Sequence, residues 1–306
     1  MRTIAFLFAL SALAPTLGGC NKERAEGIKL VNDGIKREEL GDREVAYALY
    51  VRAHGIDPTN HRALFQMAIV ELFDRNQPDK ALEHLLAAEQ LEPTDRDVLY
   101  QLGRYYATAA TPDNAKALGY LDRALAEDPN YAPAMYYKGV VLSAKDDAKG
   151  ADKAFREAIA TDPKYAPAWR DLGELYERYD QQEAAALVYE KGIEYADDLT
   201  DLYNNLGSLK MQDGRPKDAI TLFDKAVQQG ADRTDIIFNL AFAFVAANDT
   251  RSAFRYLGEY INRAGEHDAE NVKVAHLLRN AMLEELEKEK AKKDAEQEAP
   301  APAPNP

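Results

Sequence analysis

The chain has 306 residues, a formal net charge of −14 and a single cysteine. A net negative charge of this size argues against binding nucleic acid or an anionic lipid surface through general electrostatics, so we expect partners with neutral or basic surfaces. One cysteine excludes a framework of internal disulfides.

The first nineteen residues have the pattern of a secretory signal. Arg2 supplies a positive start, and residues 4–17 form a mostly apolar run that is short for a membrane span but typical of the core of a signal peptide. The run ends in Leu17-Gly18-Gly19-Cys20, which resembles the lipobox of bacterial lipoproteins. This resemblance implies that Cys20 is lipidated and becomes the first residue of the mature protein. The alternative is an ordinary secretory signal with an incidental cysteine.

Asn21 follows the cysteine. In the enterobacterial sorting rule an aspartate at this position retains a lipoprotein in the inner membrane, so the resemblance implies an outer-membrane protein on the periplasmic side. Residues 20–26 then comprise the lipidated cysteine and a short linker. Because an extended chain reaches only about 3.4 Å per residue, the linker would keep the fold close to the membrane.

Two series of small residues recur in phase between residues 27 and 267, at spacings of 34 to 36. The first series is Gly34, Ala68, Gly103, Gly139, Gly173, Gly207 and Ala241. The second is Ala46, Ala81, Ala117, Ala151, Ala185, Ala219 and Ala253, each with a large side chain four residues later. With the Leu-Gly and aromatic positions around Trp169, this pattern resembles the tetratricopeptide repeat (TPR). The resemblance implies an all-α solenoid of seven helix-turn-helix repeats wound in a right-handed superhelix.

An apolar stripe after the last repeat predicts a capping helix over residues 268–288, and the alternative is a helix that binds a partner. The stripe consists of Val272, Val274, Leu277, Leu278, Ala281, Met282 and Leu286. Residues 289–306 are first charged and then alternate alanine with proline, which predicts a disordered tail.

No catalytic or metal-binding pattern is apparent. The five histidines form no His-x-x-x-His pair, and the chain has neither a Gly-x-Ser-x-Gly elbow nor a phosphate-binding loop. We therefore expect no metal, no cofactor and no enzymatic activity. An enzyme or a small-ligand receptor built on the solenoid is the alternative.

The resemblance places one face of the first helices in a concave groove, with the residue two before each small position facing it. Those residues are Asn32, Gln66, Gln101, Tyr137, Asp171, Asn205 and Asn239. Amides provide donors and an acceptor for an extended peptide backbone, and the row is similar to the asparagine ladders of some peptide-binding TPR proteins. The alternative is a surface that is polar only for solubility.

Other groove positions of the family carry aromatic, charged and amide side chains: Tyr100, Arg104, Tyr136, Arg170, Glu174, Asn204, Phe238 and Phe242. Aromatic residues and arginine are common binding anchors, although Phe242 could equally be a packing residue. Asp201 and Asp235 stand where the chaperone-tail clamp of cytosolic TPR proteins has cations, so that function is not supported.

The lipobox followed by TPRs resembles the layout of pilotin-like lipoproteins of type IV pili and related secretion systems. Lipoproteins of gliding-motility and pilus-assembly machines, and adaptors for peptidoglycan hydrolases, share this layout. The resemblance implies an outer-membrane-anchored periplasmic scaffold that holds another envelope protein. The repeat pattern does not choose among these machines.

Overall fold

A computed structural model describes residues 17–230 and 233–298 of the chain. Most of the predicted signal peptide, residues 1–16, and the Ala/Pro-rich end, residues 299–306, lie outside the described residues. The side chain of Cys20 is also outside them.

The described residues form fifteen α-helices and one short 3-10 helix, Gly265–Asp268. The α-helices are α1 (Leu17–Glu39), α2 (Arg43–Ile56), α3 (His61–Phe73), α4 (Pro78–Leu91), α5 (Arg96–Thr108), α6 (Asn114–Glu127), α7 (Ala132–Ala144), α8 (Ala148–Thr161), α9 (Ala166–Arg178), α10 (Gln182–Tyr195), α11 (Thr200–Gln212), α12 (Pro216–Gln229), α13 (Thr234–Ala246), α14 (Thr250–Ala264) and α15 (Ala269–Glu298). Seven consecutive helix pairs, α1/α2 to α13/α14, match the predicted repeats and confirm the all-α repeat fold.

Local chemistry sets the ends of these helices. Pro78 and Pro216 occupy the first turns of α4 and α12, where a missing N–H costs nothing. The Asp95 side chain caps α5 by accepting hydrogen bonds from the backbone N–H groups of Asp97 and Val98. Tight turns inside the pairs use a left-handed residue, such as Asp180 with φ 57°. Short Asp and Asn side chains tolerate this conformation better than branched ones.

In each helix pair, the small residue of one helix lies against the other helix, as the spacing of the two series predicts. A Cβ atom added at Gly173 would lie 2.2 Å from Cε1 of Tyr189, and one at Gly103 would lie 2.7 Å from Cγ of Leu121. The large side chain of each second helix therefore fills the space that a first-helix glycine leaves open. This contact brings the two helix backbones close together and fixes their register.

By its internal contacts the chain divides into two compact units, residues 1–137 (unit 1) and 138–306 (unit 2), with the boundary inside α7. Unit 1 has one core cluster around Tyr50 and another around Leu85 and Leu102. In unit 2, one cluster surrounds Phe223 and another surrounds Leu257. Each unit therefore contains its own buried apolar core.

Two predicted boundaries differ from the structure. Residues 21–26, which we expected to be an extended linker, form turns of α1. Residues 289–298, which we expected to be disordered, continue α15 as far as Glu298. Both segments are rich in Glu, Lys, Arg and Ala, which have high helix propensity, and oppositely charged residues four apart add further support.

The capping helix α15 packs on α14 with part of the predicted stripe, because Val272, Leu278 and Met282 lie against the last core cluster. Ala275 is completely buried in the cluster of Leu257 and Tyr260. Leu277 is 72% exposed and Val274 is 41% exposed, so these two members of the stripe do not cap the repeats. None of the described helices is both long enough and apolar enough to cross a membrane.

Candidate functional site

Three amide side chains occupy the same repeat position on successive first helices of unit 1: Asn32 on α1, Gln66 on α3 and Gln101 on α5. We call them the amide row. Asn32 is exposed, whereas Gln66 and Gln101 are half-buried. Among the described residues, none of the three side chains has a hydrogen-bond partner, and the Oε1 atom of Gln101 is buried without one. The amide row is therefore free of hydrogen bonds within the described part of the chain.

Tyr137 continues the amide-row position onto α7 and belongs to an aromatic cluster of unit 1. Its ring centroid lies 5.8 Å from that of Tyr100 and 5.0 Å from that of Tyr136. Tyr100 is only 9% exposed and Tyr136 only 6%, so the structure places these two predicted groove residues in the core. Large rings gain most by burial, which explains this difference from the prediction. Burial also raises the pKa of Tyr100 to about 12.

Arg104 lies one turn after Gln101 on α5 and is held by aromatic rings. Its guanidinium carbon is 4.5 Å from the ring centroid of Phe73 and 5.6 Å from that of Tyr137. Beside it is a cavity of about 200 Å³ lined by Gln101, Arg104, Phe73 and Leu72, among others. The contact of Phe73 with Arg104 was not predicted, because Phe73 is not at a groove position of the family.

In unit 2 the predicted groove arginine, Arg170, is surrounded by carboxylates. Its Nε lies 2.7 Å from Oδ1 of Asp171, and its Nη1 lies 3.2 Å from Oδ2 of Asp201. Arg233 also contacts Asp201, at 3.0 Å, and donates to Asp235. The hydrogen bond from Arg233 lowers the pKa of Asp235. Asp201 and Asp235 are thus committed to arginines of this chain, which is incompatible with a cationic clamp at these positions.

The amides of unit 2 form a connected network. Asn239 donates to Oδ1 of Asn204 at 2.9 Å, and Asn204 donates to Oδ1 of Asn205 at 3.4 Å. Asn205 in turn donates to Oε1 of Glu174 at 3.1 Å and to the hydroxyl of Tyr189 at 3.4 Å. Burial, with a smaller contribution from the Asp171 charge, raises the pKa of Glu174. The sequence predicted equivalent roles for all the amides. In the structure, the amides of unit 1 have no hydrogen-bond partner among the described residues, whereas those of unit 2 are bonded to one another and to neighbouring side chains.

Two phenylalanines on α13 complete the predicted positions. Phe238 packs with its ring centroid 4.8 Å from that of Tyr260, as part of the last core cluster. Phe242 is 45% exposed and lies 6.1 Å from Phe238 between ring centroids. Phe238 therefore acts mainly in packing, whereas Phe242 remains at the surface.

Unit 1 contains a buried carboxylate that was not predicted from the sequence. Glu71 is completely buried. Its Oε1 accepts a hydrogen bond from the Tyr47 hydroxyl at 2.7 Å, and its Oε2 lies 2.7 Å from Nδ1 of His84. Nothing in its spacing distinguishes Glu71 from surface glutamates. Within the described residues, no group of three or more His, Cys, Asp or Glu side chains could hold a metal ion. The chemistry that the first helices offer is thus hydrogen bonding, ion pairing and aromatic contact.

Comparison with known proteins agrees with this fold. Family profiles described as tetratricopeptide repeat match residues 67–132, 109–166 and 200–229. No curated protein matches the sequence significantly. Among solved structures, a tetratricopeptide repeat protein from Parabacteroides merdae is 15% identical with a TM-score of 0.57, over 85% of this chain and 99% of that chain. PilF of Pseudomonas aeruginosa is 18% identical with a TM-score of 0.56, over 66% of this chain and 90% of that chain. At these identities the likeness shows the fold alone.

Proposed function

We propose that this chain, which has the fold of tetratricopeptide repeats, is a scaffold that holds an extended segment of another protein on its first helices. The observation that carries the proposal is the amide row, in which Asn32, Gln66 and Gln101 have no hydrogen-bond partner in the described chain. Each amide can both donate to a peptide C=O and accept from a peptide N–H. Repeat proteins commonly use such extended surfaces for binding.

The N-terminal sequence supports a location for the scaffold. We propose that Cys20 is lipidated and holds the protein on the periplasmic side of the outer membrane, because Leu17-Gly18-Gly19-Cys20 resembles a lipobox and Asn21 is not an aspartate. The partner would then be another envelope protein.

We propose a non-enzymatic role in assembling a pilus, secretion or motility machine, on the basis of the sequence resemblance described above. An adaptor for peptidoglycan enzymes is the second candidate, because it shares the same order of lipobox and repeats. The similarity to PilF does not decide between them, since it concerns the fold only.

Photocrosslinking in intact cells tests the scaffold. A photoreactive amino acid at Gln66 should capture one defined envelope protein. The same amino acid at Lys225, an exposed residue on the second helix α12, should capture little of it. Equal capture at both positions, or none at Gln66, would contradict binding on the first helices.

Cys20→Ser tests the anchor. Without the thiol no acyl chain can be attached, so labelling with a radioactive fatty acid should disappear and processing at the lipobox should stop. Arg2→Lys, which keeps the positive start of the signal, is the control and should still be labelled. Equal labelling of Cys20→Ser and the natural protein would remove Cys20 as the lipidation site.

A further inference from the structure

Arg104 has no carboxylate partner among the described residues, although it donates a hydrogen bond to the hydroxyl of Tyr100. The aromatic rings of Phe73 and Tyr137 lie against it instead. A guanidinium group that stacks on a ring keeps its N–H groups at its edge, where they match the two oxygens of a carboxylate. The side chain is thus positioned for an anion that the described chain does not supply.

Gln101 lies beside Arg104 and shares its cavity of about 200 Å³. Because Oε1 of Gln101 is buried without a partner, turning this amide toward a ligand would break no hydrogen bond at that atom. A buried acceptor without a partner is also costly, so a ligand N–H would be favoured there. Leu72 and Phe73 give the same cavity an apolar side.

A second cavity of unit 1 repeats this combination. It measures about 240 Å³ and its lining includes Asn32 of the amide row, the apolar side chain of Ile28, and two arginines, Arg24 and Arg62. Asp57 also lines it, and its Oδ1 accepts hydrogen bonds from the backbone N–H and the hydroxyl of Thr59. Neither arginine has an ion-pair partner among the described residues. Two cavities at different places on unit 1 thus each offer an amide, an apolar wall and at least one arginine that forms no ion pair within the described residues.

The matching position of unit 2 has the opposite charge. Arg104 directly follows the small residue Gly103, and Glu174 directly follows Gly173 in the same way. Around Glu174 the nearest arginine, Arg170, already contacts carboxylates. An acidic ligand is therefore favoured on unit 1 specifically, despite the net charge of −14 of the whole chain.

We infer that unit 1 binds an extended acidic peptide segment, in which Arg104 pairs with a Glu or Asp side chain, Gln101 bonds the neighbouring peptide N–H, and an adjacent apolar residue enters the cavity. The inference rests on the proposed scaffold function for the presence of a bound segment. It adds the chemistry that this segment must have.

Fluorescence anisotropy with synthetic peptides tests the inference on the full chain. The probes are labelled peptides that repeat Glu-Leu-Ser-Thr, Gln-Leu-Ser-Thr or Lys-Leu-Ser-Thr, so that registers four residues apart present the same side chains. The Glu peptide should bind roughly tenfold more tightly than the Gln peptide, which corresponds to about 1.4 kcal/mol, and the Lys peptide should bind most weakly. Arg104→Gln should remove most of the difference between the Glu and Gln peptides.

Arg251→Gln is the matched control, because it removes the same charge from an exposed side chain on α14. It should leave the preference for Glu unchanged. Equal binding of the Glu and Gln peptides to the natural protein, no binding of either, or a preference for Glu that persists in Arg104→Gln would overturn the inference.

Crosslinking at Gln66 separates this inference from the scaffold function. If Gln66 captures a partner equally well in the natural protein and in Arg104→Gln, the scaffold stands and the acidic anchor is wrong. If Gln66 captures nothing while the peptides still show the Arg104-dependent preference, the acidic site stands and the scaffold function is wrong.

Discussion

At the scale of single residues, the contact between a first-helix glycine and a second-helix ring has the least tolerance for change. Tyr189 is completely buried, and its hydroxyl donates to Oε1 of Glu177 at 2.5 Å while it accepts from Asn205. The ring is fixed at its edge by Gly173 and at its tip by these polar groups. It therefore cannot move aside for even one methyl group without losing a hydrogen bond.

Gly173→Ala is expected to lower the free energy of unfolding by about 1–3 kcal/mol, because the new Cβ would lie 2.2 Å from the ring of Tyr189. Gly119→Ala on α6 is the control, since a Cβ there meets no other atom within 4 Å. Alanine should stabilise that helix by roughly 0.5–1 kcal/mol. Urea denaturation followed by circular dichroism measures both changes, and a loss of the same size at both glycines would contradict the packing argument.

This contact could be predicted from the sequence. Every repeat needs a small residue at this position, so small residues recur at a regular spacing of 34 to 36 residues. The sequence was insufficient for the polar contacts of the same surface. Whether Asn205 is free depends on Glu174 and Tyr189, which come from two other helices. Amide residues look alike in a sequence whether they are bonded or not, so the ladder was predicted as one uniform feature.

At the scale of helices, α15 shows how a correctly predicted element can bury only part of its predicted apolar stripe. The apolar stripe contains two adjacent rows of side chains, and apolarity alone does not choose between them. The structure buries the row through Ala275 and Leu278 and exposes Leu277. Just before α15, the Tyr260 hydroxyl donates to Asp268 at 2.6 Å and sets where the helix starts on α14.

Two substitutions to glutamate distinguish the faces of α15. Ala275→Glu places a charge in a completely buried position without a partner, and should destabilise unit 2 by at least about 3 kcal/mol. Leu277→Glu changes a side chain that is 72% exposed and should alter stability by less than about 0.5 kcal/mol. Thermal melting of the full chain measures both, and a larger effect at Leu277 would restore the originally predicted face.

At the scale of the whole molecule, net charge proved a poor guide to local chemistry. The value of −14 predicted neutral or basic partners, and the carboxylates around Arg170 and Arg233 in unit 2 fit that expectation. Unit 1 differs, because Arg24, Arg62 and Arg104 form no ion pair within the described residues. The sequence pattern predicts the same repeat in both units. The side chains on these repeats nevertheless differ, because the amide row of unit 1 has no hydrogen bonds within the described residues whereas the amides of unit 2 are bonded.

This difference predicts that two matched pairs of amide substitutions separate folding from binding. Asn205→Ala with Asn239→Ala removes the three donors to Glu174, Tyr189 and Asn204, and should lower the stability of unit 2 by about 1.5–4.5 kcal/mol, at about 0.5–1.5 kcal/mol per bond. Gln66→Ala with Gln101→Ala breaks no bond within the described chain, so stability should change by less than about 0.5 kcal/mol.

The second pair should instead weaken binding of the partner captured by crosslinking. Two hydrogen bonds lost at a desolvated contact amount to about 1.4 kcal/mol, or a tenfold lower affinity. Denaturation and affinity measurements on the four single variants and the two double variants make the comparison complete. If the unit 2 pair weakened binding without destabilising the fold, while the unit 1 pair did neither, the amides that hold the partner would be those of unit 2 and the amide row would be a surface that is polar only for solubility.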